Sequence, residues 1–231
     1  MEINLKDVKV MISMPCGANV SWQTVQSIVE TCIGLQKEQI EFSFQMVAGC
    51  SIVQHARTQV CNAFLKSALN TLFMIDSDIS WKFKDFIRLL ALSTKMEVVS
   101  AAYPAKNDKK YFMLKGCEGV LTTNEFGCLP VGGIGLGFTV VQRKVIEQLA
   151  EKSEKVIFPW SNGERIPYMF RCDIDNGEAR GEDMAFFDDC KEMGYQLWLD
   201  PEINLGHVGT KEYTASIKDA MTKREKPCQP G

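Results

Sequence analysis

The sequence predicts an α/β fold, a single domain with a mostly parallel central sheet flanked by helices. Its N-terminal half is Rossmann-like, and a smaller antiparallel portion lies in the C-terminal half. Three observations carry this prediction. Residues 71–75 (TLFMI) set four large apolar side chains in a row, the pattern of a strand buried on both faces of a parallel sheet. The first hundred residues alternate strand-like and helix-like segments as β-α-β-α-β-α-β, which calls for crossover helices over a parallel sheet. Beyond residue 104 the pattern loosens into glycine-rich and polar stretches between short apolar runs.

The elements follow in order. Residues 8–14 (VKVMISM) read as the first strand, ended by Pro15-Cys16-Gly17-Ala18-Asn19. Ser21 caps a helix running to about Leu35, with Val25, Ile28, Val29, Cys32 and Ile33 forming its apolar face. Residues 40–48 form a second strand, turned by Gly49-Cys50-Ser51, and a second helix spans about 52–69 with Val53, Ala56, Val60, Ala63 and Phe64 inward. After the TLFMI strand, Phe83, Phe86, Ile87 and Leu90 mark a third helix, and residues 97–102 a fourth strand closing at Tyr103-Pro104. Residues 105–130 read as loop and short antiparallel strands, with Gly116 and Gly119 in a turn. Residues 131–141 (VGGIGLGFTVV) lead into another strand and a helix over about 143–151. Residues 153–167 read as loop, 168–172 as a strand and 173–181 as a polar loop; a helix from about Asp183 stops at Gly194, a C′ glycine. Residues 196–199 form a short strand, and the domain spans 1–215, divided near 104, with 216–231 as a tail.

The composition is that of a globular chain: 45% hydrophobic and 24% charged residues, with a net charge of −3. That charge supplies no global attraction for nucleic acid; Lys106, Lys109 and Lys110 form a local basic group that reads first as a solvated loop. Nine cysteines, an odd number with no C-x-x-C pair, argue against a disulfide framework or zinc knuckle and for a reducing compartment. No signal peptide and no run of ~18 apolar residues is visible, which predicts a cytoplasmic protein without a membrane span.

The chemistry centres on Asp76-Ser77-Asp78. Two carboxylates at i, i+2 share one side of an extended chain, at the carboxyl end of a buried strand where open α/β sheets bind ligands. Such a pair suits a hard divalent cation and, through it, a phosphate; the triplet alone equally suits a turn or a helix N-cap. The glycines at 132, 133, 135 and 137 do not form a dinucleotide fingerprint, because the third position of G-x-G-x-x-G is Phe138 and the run precedes a strand. They suit close backbone approach or a tight bend. Glu182 and Asp183 open a helix, where the dipole favours acids; alternatively one of them projects into a site, Asp183 taking a proton from an acceptor hydroxyl or positioning a sugar. His207, flanked by Gly206 and Gly209, is poorly shielded for a core residue and is a good ligand for Mn²⁺-class metals beside carboxylates. His55, inside the second helix, reads as structural.

The ordered pieces FMIDSDISW, GIGLGF, GEDMAFFDDCKEMGYQLWLDP and LGHVG resemble the nucleotide-sugar-dependent glycosyltransferases of the GT-A fold, especially small stand-alone ones of the kind found in phage genomes. The resemblance covers residues 8 to about 213. It implies a nucleotide-binding half over 1–104 and an acceptor and metal half over 105–215. It implies that Asp76 lies near the ribose and shares in the metal set, and that Asp78 and His207 ligate Mn²⁺ or Mg²⁺. It also implies that Glu182 and Asp183 are the catalytic pair at the start of the acceptor-side helix, supplying the catalytic base or a sugar-positioning carboxylate. It further implies that Pro15, Met14 and Asn19 hold the base, that Arg57 faces the nucleotide, and that Gly135 and Gly137 line the donor-sugar and acceptor pocket.

The implied reaction moves a sugar from a nucleoside diphosphate sugar, by family default a UDP-sugar, to an acceptor hydroxyl. The acceptor is a hydroxymethylated or already glycosylated DNA base, or a surface polysaccharide; a groove using Lys106, Lys109, Lys110 and Arg165 would serve DNA. A nucleotidyltransferase or phosphohydrolase could use the same acidic turn, but PCGANVSW after the first strand lacks the Gly-rich basic loop a nucleotidyltransferase wants. A non-catalytic sugar- or nucleotide-binding module is the third class. The donor, the stereochemistry and the oligomeric state are not encoded in any motif.

Overall fold

A computed structural model describes residues 5–108, 111–116 and 122–222. In chain order the elements are β1 (Lys9–Cys16), α1 (Trp22–Lys37), β2 (Glu41–Ala48), α2 (Val53–Leu65), β3 (Thr71–Ile75), β4 (Ile79–Ser80), α3 (Phe83–Leu92) and β5 (Val98–Ser100). They continue as β6 (Leu114–Lys115), β7 (Leu129–Val131), β8 (Gly133–Ile134), β9 (Phe138–Gln142), α4 (Arg143–Lys152), β10 (Lys155–Ile157) and β11 (Arg165–Pro167). The last are β12 (Asp173–Asp175), β13 (Glu178–Arg180), α5 (Glu182–Glu192), β14 (Leu197–Leu199), β15 (Gly206–Val208), β16 (Glu212–Thr214) and α6 (Ile217–Thr222).

A seven-stranded sheet runs β2-β1-β3-β9-β5-β14-β7. β2, β1 and β3 are mutually parallel, as are β5 and β14; β9 and β7 run against them. The sheet is therefore mixed but mostly parallel. β3 is buried at every position, and its side chains divide by the period of two. Leu72 and Met74 join a core with Val60 and Phe64 of α2, Leu149 of α4 and Phe186 of α5, while Phe73 and Ile75 join one with Leu35 of α1 and Leu89 of α3. Small antiparallel sheets form mainly from the C-terminal half, one of them, β16-β15-β4, taking in β4 from the N-terminal half.

Several expectations give way. The face of α1 turned to the protein carries Thr24, Ser27, Thr31, Gly34 and Leu35, whereas Val25, Val29 and Ile33 are exposed. Residues 155–157 and 165–167 pair as a hairpin where a loop was expected, and 168–172 are not a strand. The polar stretch after Cys172 is a second hairpin, β12–β13, turned by Asn176 and Gly177 at φ 48° and 83°. Asn-Gly with both residues at positive φ is the turn chemistry of a two-residue hairpin. α6 forms where the tail was expected to begin, and its Ile217 is buried. Gly194 does sit at positive φ just past α5. Lys109, Lys110, Cys117, Gly119 and residues 223–231 lie outside the described residues. The seven described cysteines are all free, and no described helix is long and apolar enough to cross a membrane.

Candidate functional site

The carboxyl ends of β1, β2 and β3 open onto a cavity of about 380 Å³. Pro15 and Cys16 line it at the end of β1 with Gly17 just beyond, Cys50 and Ser51 after β2, Asp76, Ser77 and Asp78 after β3, with Arg57, Tyr103, Glu182 and His207 from elsewhere. This is where the strand-end rule for open α/β sheets places a ligand.

The acidic turn is held from two sides. Asp76 N–H donates to Gly137 O at 3.0 Å, and Ser21 N–H to Ser77 O at 3.2 Å. The hydroxyl face of α1 supports the chain just beyond: Thr24 Oγ1 donates to Ile79 O at 2.7 Å, and Ser27 Oγ accepts from Trp81 N–H at 3.0 Å. Trp81 Nε1 in turn donates to Thr31 Oγ1 at 2.8 Å. Short β4 leaves backbone groups that a regular sheet would have satisfied, and buried groups of this kind need partners.

His207 reaches the turn because β15 pairs with β4, setting His207 opposite Ile79, and Val208 N–H donates to Asp78 O at 2.7 Å. Nε2 of His207 lies 3.5 Å from Asp78 Oδ1. Its Nδ1 is 2.8 Å from Pro104 O. A carbonyl only accepts, so Nδ1 carries the hydrogen and, in the neutral ring, Nε2 presents its lone pair toward Asp78. A lone pair and a carboxylate facing each other are suited to sharing one cation, and a backbone carbonyl behind the ring is the usual outer partner of a ligating histidine. Asp78 is also in contact with Lys106, whose Nζ is 2.5 Å from Oδ2. Burial works against the Asp78 charge, but the His207 ring when it carries both hydrogens, and the Lys106 ammonium, outweigh it and hold the carboxyl below its usual range.

Asp76 is turned elsewhere. Its Oδ1 accepts from Arg57 Nη2 at 2.8 Å, and Arg57 Nε lies 3.4 Å from Glu182 Oε1. Arg57 is only 4% exposed. Burial alone would favour the neutral guanidine, but Asp76 and Glu182 outweigh it and raise its pKa. Among the described residues no set of three or more His, Cys, Asp or Glu side chains converges as a metal site; Asp78 and His207 stand as a pair. A cation with one or two protein ligands, completed by phosphate oxygens and water, is the ordinary arrangement for Mg²⁺-type sites, so this donor set fits one.

Asp183, beside Glu182 at the start of α5, has its carboxyl raised by burial, with Oδ1 accepting from Met184 N–H at 2.7 Å. Pro15 lines the cavity; Met14 is buried within β1, and Asn19 is exposed and away from the lining. Gly135 and Gly137 make room for Tyr103: a Cβ on Gly137 would come within 2.7 Å of Asp76 Oδ2 and 2.8 Å of Tyr103 Oη, and one on Gly135 would collide with Tyr103 Oη. Tyr103 itself accepts from Gly137 N–H at 3.2 Å and sets its ring edge-on to His207, 5.0 Å between centroids. Tyr103, Cys50 and Ser51 were missed as site residues. Their position just past the ends of two strands was the available signal. Of the expected basic group, Lys106 serves Asp78, and Arg165 donates to Lys155 O. His55 packs edge-on against Phe158 and Tyr168.

No protein-family model matches the chain, and no curated protein does. Among solved structures, GalNAc-T7 with UDP, GalNAc and Mn²⁺ aligns at a TM-score of 0.52 and 11% identity, over 88% of this chain and 44% of that one. The fold is GT-A-like. A glycosyltransferase involved in glycosylating the major capsid of PBCV-1 also matches, at a TM-score of 0.37 and 8% identity, over 61% of this chain and 62% of that one. The chain thus spans less than two thirds of the length of either.

Proposed function

We propose that the protein is a metal-dependent glycosyltransferase that moves a sugar from a nucleoside diphosphate sugar, UDP as first choice, to an acceptor hydroxyl. The observation that carries this reading is the facing pair of Asp78 Oδ1 and His207 Nε2, 3.5 Å apart, in a GT-A-like fold. Pro15, Cys16, Cys50 and Ser51 bound the end of the cavity where a base and ribose would sit, and the Arg57–Asp76 pair lies beside it. Asp78 and His207 would hold Mn²⁺ or Mg²⁺, which when bound acts as a Lewis acid on the departing diphosphate.

In the transfer the acceptor oxygen bonds to the anomeric carbon as the bond from that carbon to the diphosphate oxygen breaks. Asp183 takes the acceptor proton: burial makes its carboxylate more basic than an exposed one, as a general base requires. Glu182, partnered with Arg57, holds the sugar or the acceptor from the same helix turn. Hydroxymethylated or glycosylated DNA bases and saccharides remain the acceptor classes to try.

Incubating the protein with a panel of nucleotide sugars and Mn²⁺, and measuring released nucleoside diphosphate, tests the reading. Asp78→Ala and His207→Ala should fold normally and lose Mn²⁺-dependent release. Full activity in the double variant would refute the metal assignment.

A further inference from the structure

Resting on that reading, we propose that Lys106 is a tethered cation that occupies Asp78 before the divalent ion binds and then turns its ammonium onto the donor's diphosphate. Lys106 would thereby make binding of metal and nucleotide interdependent.

The two oxygens of Asp78 are divided. Oδ1 faces His207 Nε2 at 3.5 Å, and Oδ2 holds Lys106 Nζ at 2.5 Å. A divalent ion shared by Oδ1 and Nε2 would lie close to that ammonium, and like charges at a few ångströms repel strongly in a partly desolvated site. The lysine must therefore withdraw or weaken the metal.

Its stem is built to be held while its head moves. Gly209, just past His207, leaves the room the stem uses: a Cβ there would come within 3.1 Å of Lys106 Cδ. The loop bearing it is fastened at its base by Ala105 N–H to Tyr111 O at 2.7 Å and by the Pro104–Phe112 bridge. The side chain itself remains 38% exposed, so rotation of its four-carbon stem costs little packing.

A charge argument gives the second position. Arg57 is the one arginine or lysine among the described residues lining the cavity, and its charge is met by Asp76 and Glu182. A nucleoside diphosphate carries more negative charge than one divalent ion neutralises beside Asp78. Lys106 is the nearby ammonium whose present partner, Asp78, the metal would take over.

The test is binding without turnover, using Mn²⁺ alone, read by electron paramagnetic resonance of the free ion, and UDP at saturating Mn²⁺, read by calorimetry. Lys106→Met keeps the stem and removes the charge. It should bind Mn²⁺ about fivefold or more tightly than the wild type and bind UDP about tenfold more weakly, shifts of opposite sign and of ordinary coupling size. Lys106→Arg, which keeps the charge, should leave Mn²⁺ binding weak. Unchanged or weaker Mn²⁺ binding in Lys106→Met, or unchanged UDP binding, overturns the inference while leaving the metal site standing. Equal Mn²⁺ binding by the wild type and Asp78→Ala would instead overturn the metal reading, and the inference with it. Should Lys106→Met fold poorly, Lys106→Gln replaces it in the same measurements.

Discussion

Replacing Arg57 by Met should strain the site more than any exposed charge change, and its size can be worked out. The guanidinium is 4% exposed and serves Asp76, 26% exposed, and Glu182, 16% exposed. Removing one member of a buried ionic cluster typically costs 3–5 kcal/mol, because the remaining charges stay desolvated without partners. The partial exposure of both carboxylates lets water reach them, which puts the expected loss at the lower end, about 3 kcal/mol. For a chain of 231 residues each kcal/mol lowers Tm by about 2–4 °C, giving a drop of about 6–12 °C. Thermal unfolding followed by circular dichroism measures it. Arg57→Met combined with Asp76→Asn and Glu182→Gln should recover at least half the loss, since neutral amides tolerate the site better than orphaned carboxylates. A drop under about 2 °C, or a combined variant no more stable than the single one, would show that the three side chains are not energetically coupled.

Ser27→Ala should cost about 1–3 kcal/mol by orphaning the Trp81 amide, whereas Val29→Ser on the exposed side of the same helix should stay within about 0.5 kcal/mol; a denaturant midpoint series decides, and the reverse order would refute the assigned faces. Gly135→Ala drives a Cβ into the Tyr103 hydroxyl, so about 1–3 kcal/mol should be lost together with Mn²⁺ affinity as the ring moves against His207. Gly17→Ala, whose Cβ would meet nothing within 4 Å, should leave Tm unchanged, and equal melting of the two variants would count against the Tyr103 seat. Arg180 and Asp173 pair within the β12–β13 hairpin, which is tied to the rest by Asp173 with Arg171 and by Arg180 with Asp188; Arg171 is in turn paired with Asp189. Arg180 first and Arg171 second depress the Asp173 carboxyl to about 2, so its stabilising contribution is full above the ordinary carboxylate value and is lost as pH falls through about 2. Amide chemical shifts of residues 173–180 should move toward unfolded values over that range before α5 melts, and earlier at high salt; hairpin shifts that stay put until global unfolding would contradict this.

Much of the fold could be read because hydrophobic runs and turn residues are local signals. β3 announced itself by four apolar residues in succession, and the end of α5 by Gly194. What was not legible depends on pairing across the chain. Nothing near residue 138 indicates that β9 runs antiparallel between β3 and β5, and nothing near His207 indicates that β15 will pair with β4. Lys106 read as one of a solvated group because its partner, Asp78, is 28 residues away. The β12–β13 hairpin is a different case, since Asn176-Gly177 between short runs is a strong local signal that the polar composition obscured.

The misread face of α1 ties the fold to the site. Val25, Val29 and Ile33 recur at the helical period and so invited an inward assignment, yet Thr24, Ser27 and Thr31, at the same period, are the ones buried. Apolar periodicity identifies the buried face only where the neighbour is itself apolar. Here the neighbour is the irregular chain at 79–81, whose carbonyls and amide need partners, and three hydroxyls spaced 24, 27 and 31 supply them along with the Trp81 indole contact. A hydrophobic face would have left those groups unpaired at about 1–3 kcal/mol each, enough to loosen the turn that carries Asp76 and Asp78. The polar buried stripe on α1 is therefore part of how this sequence fixes its acidic pair in place.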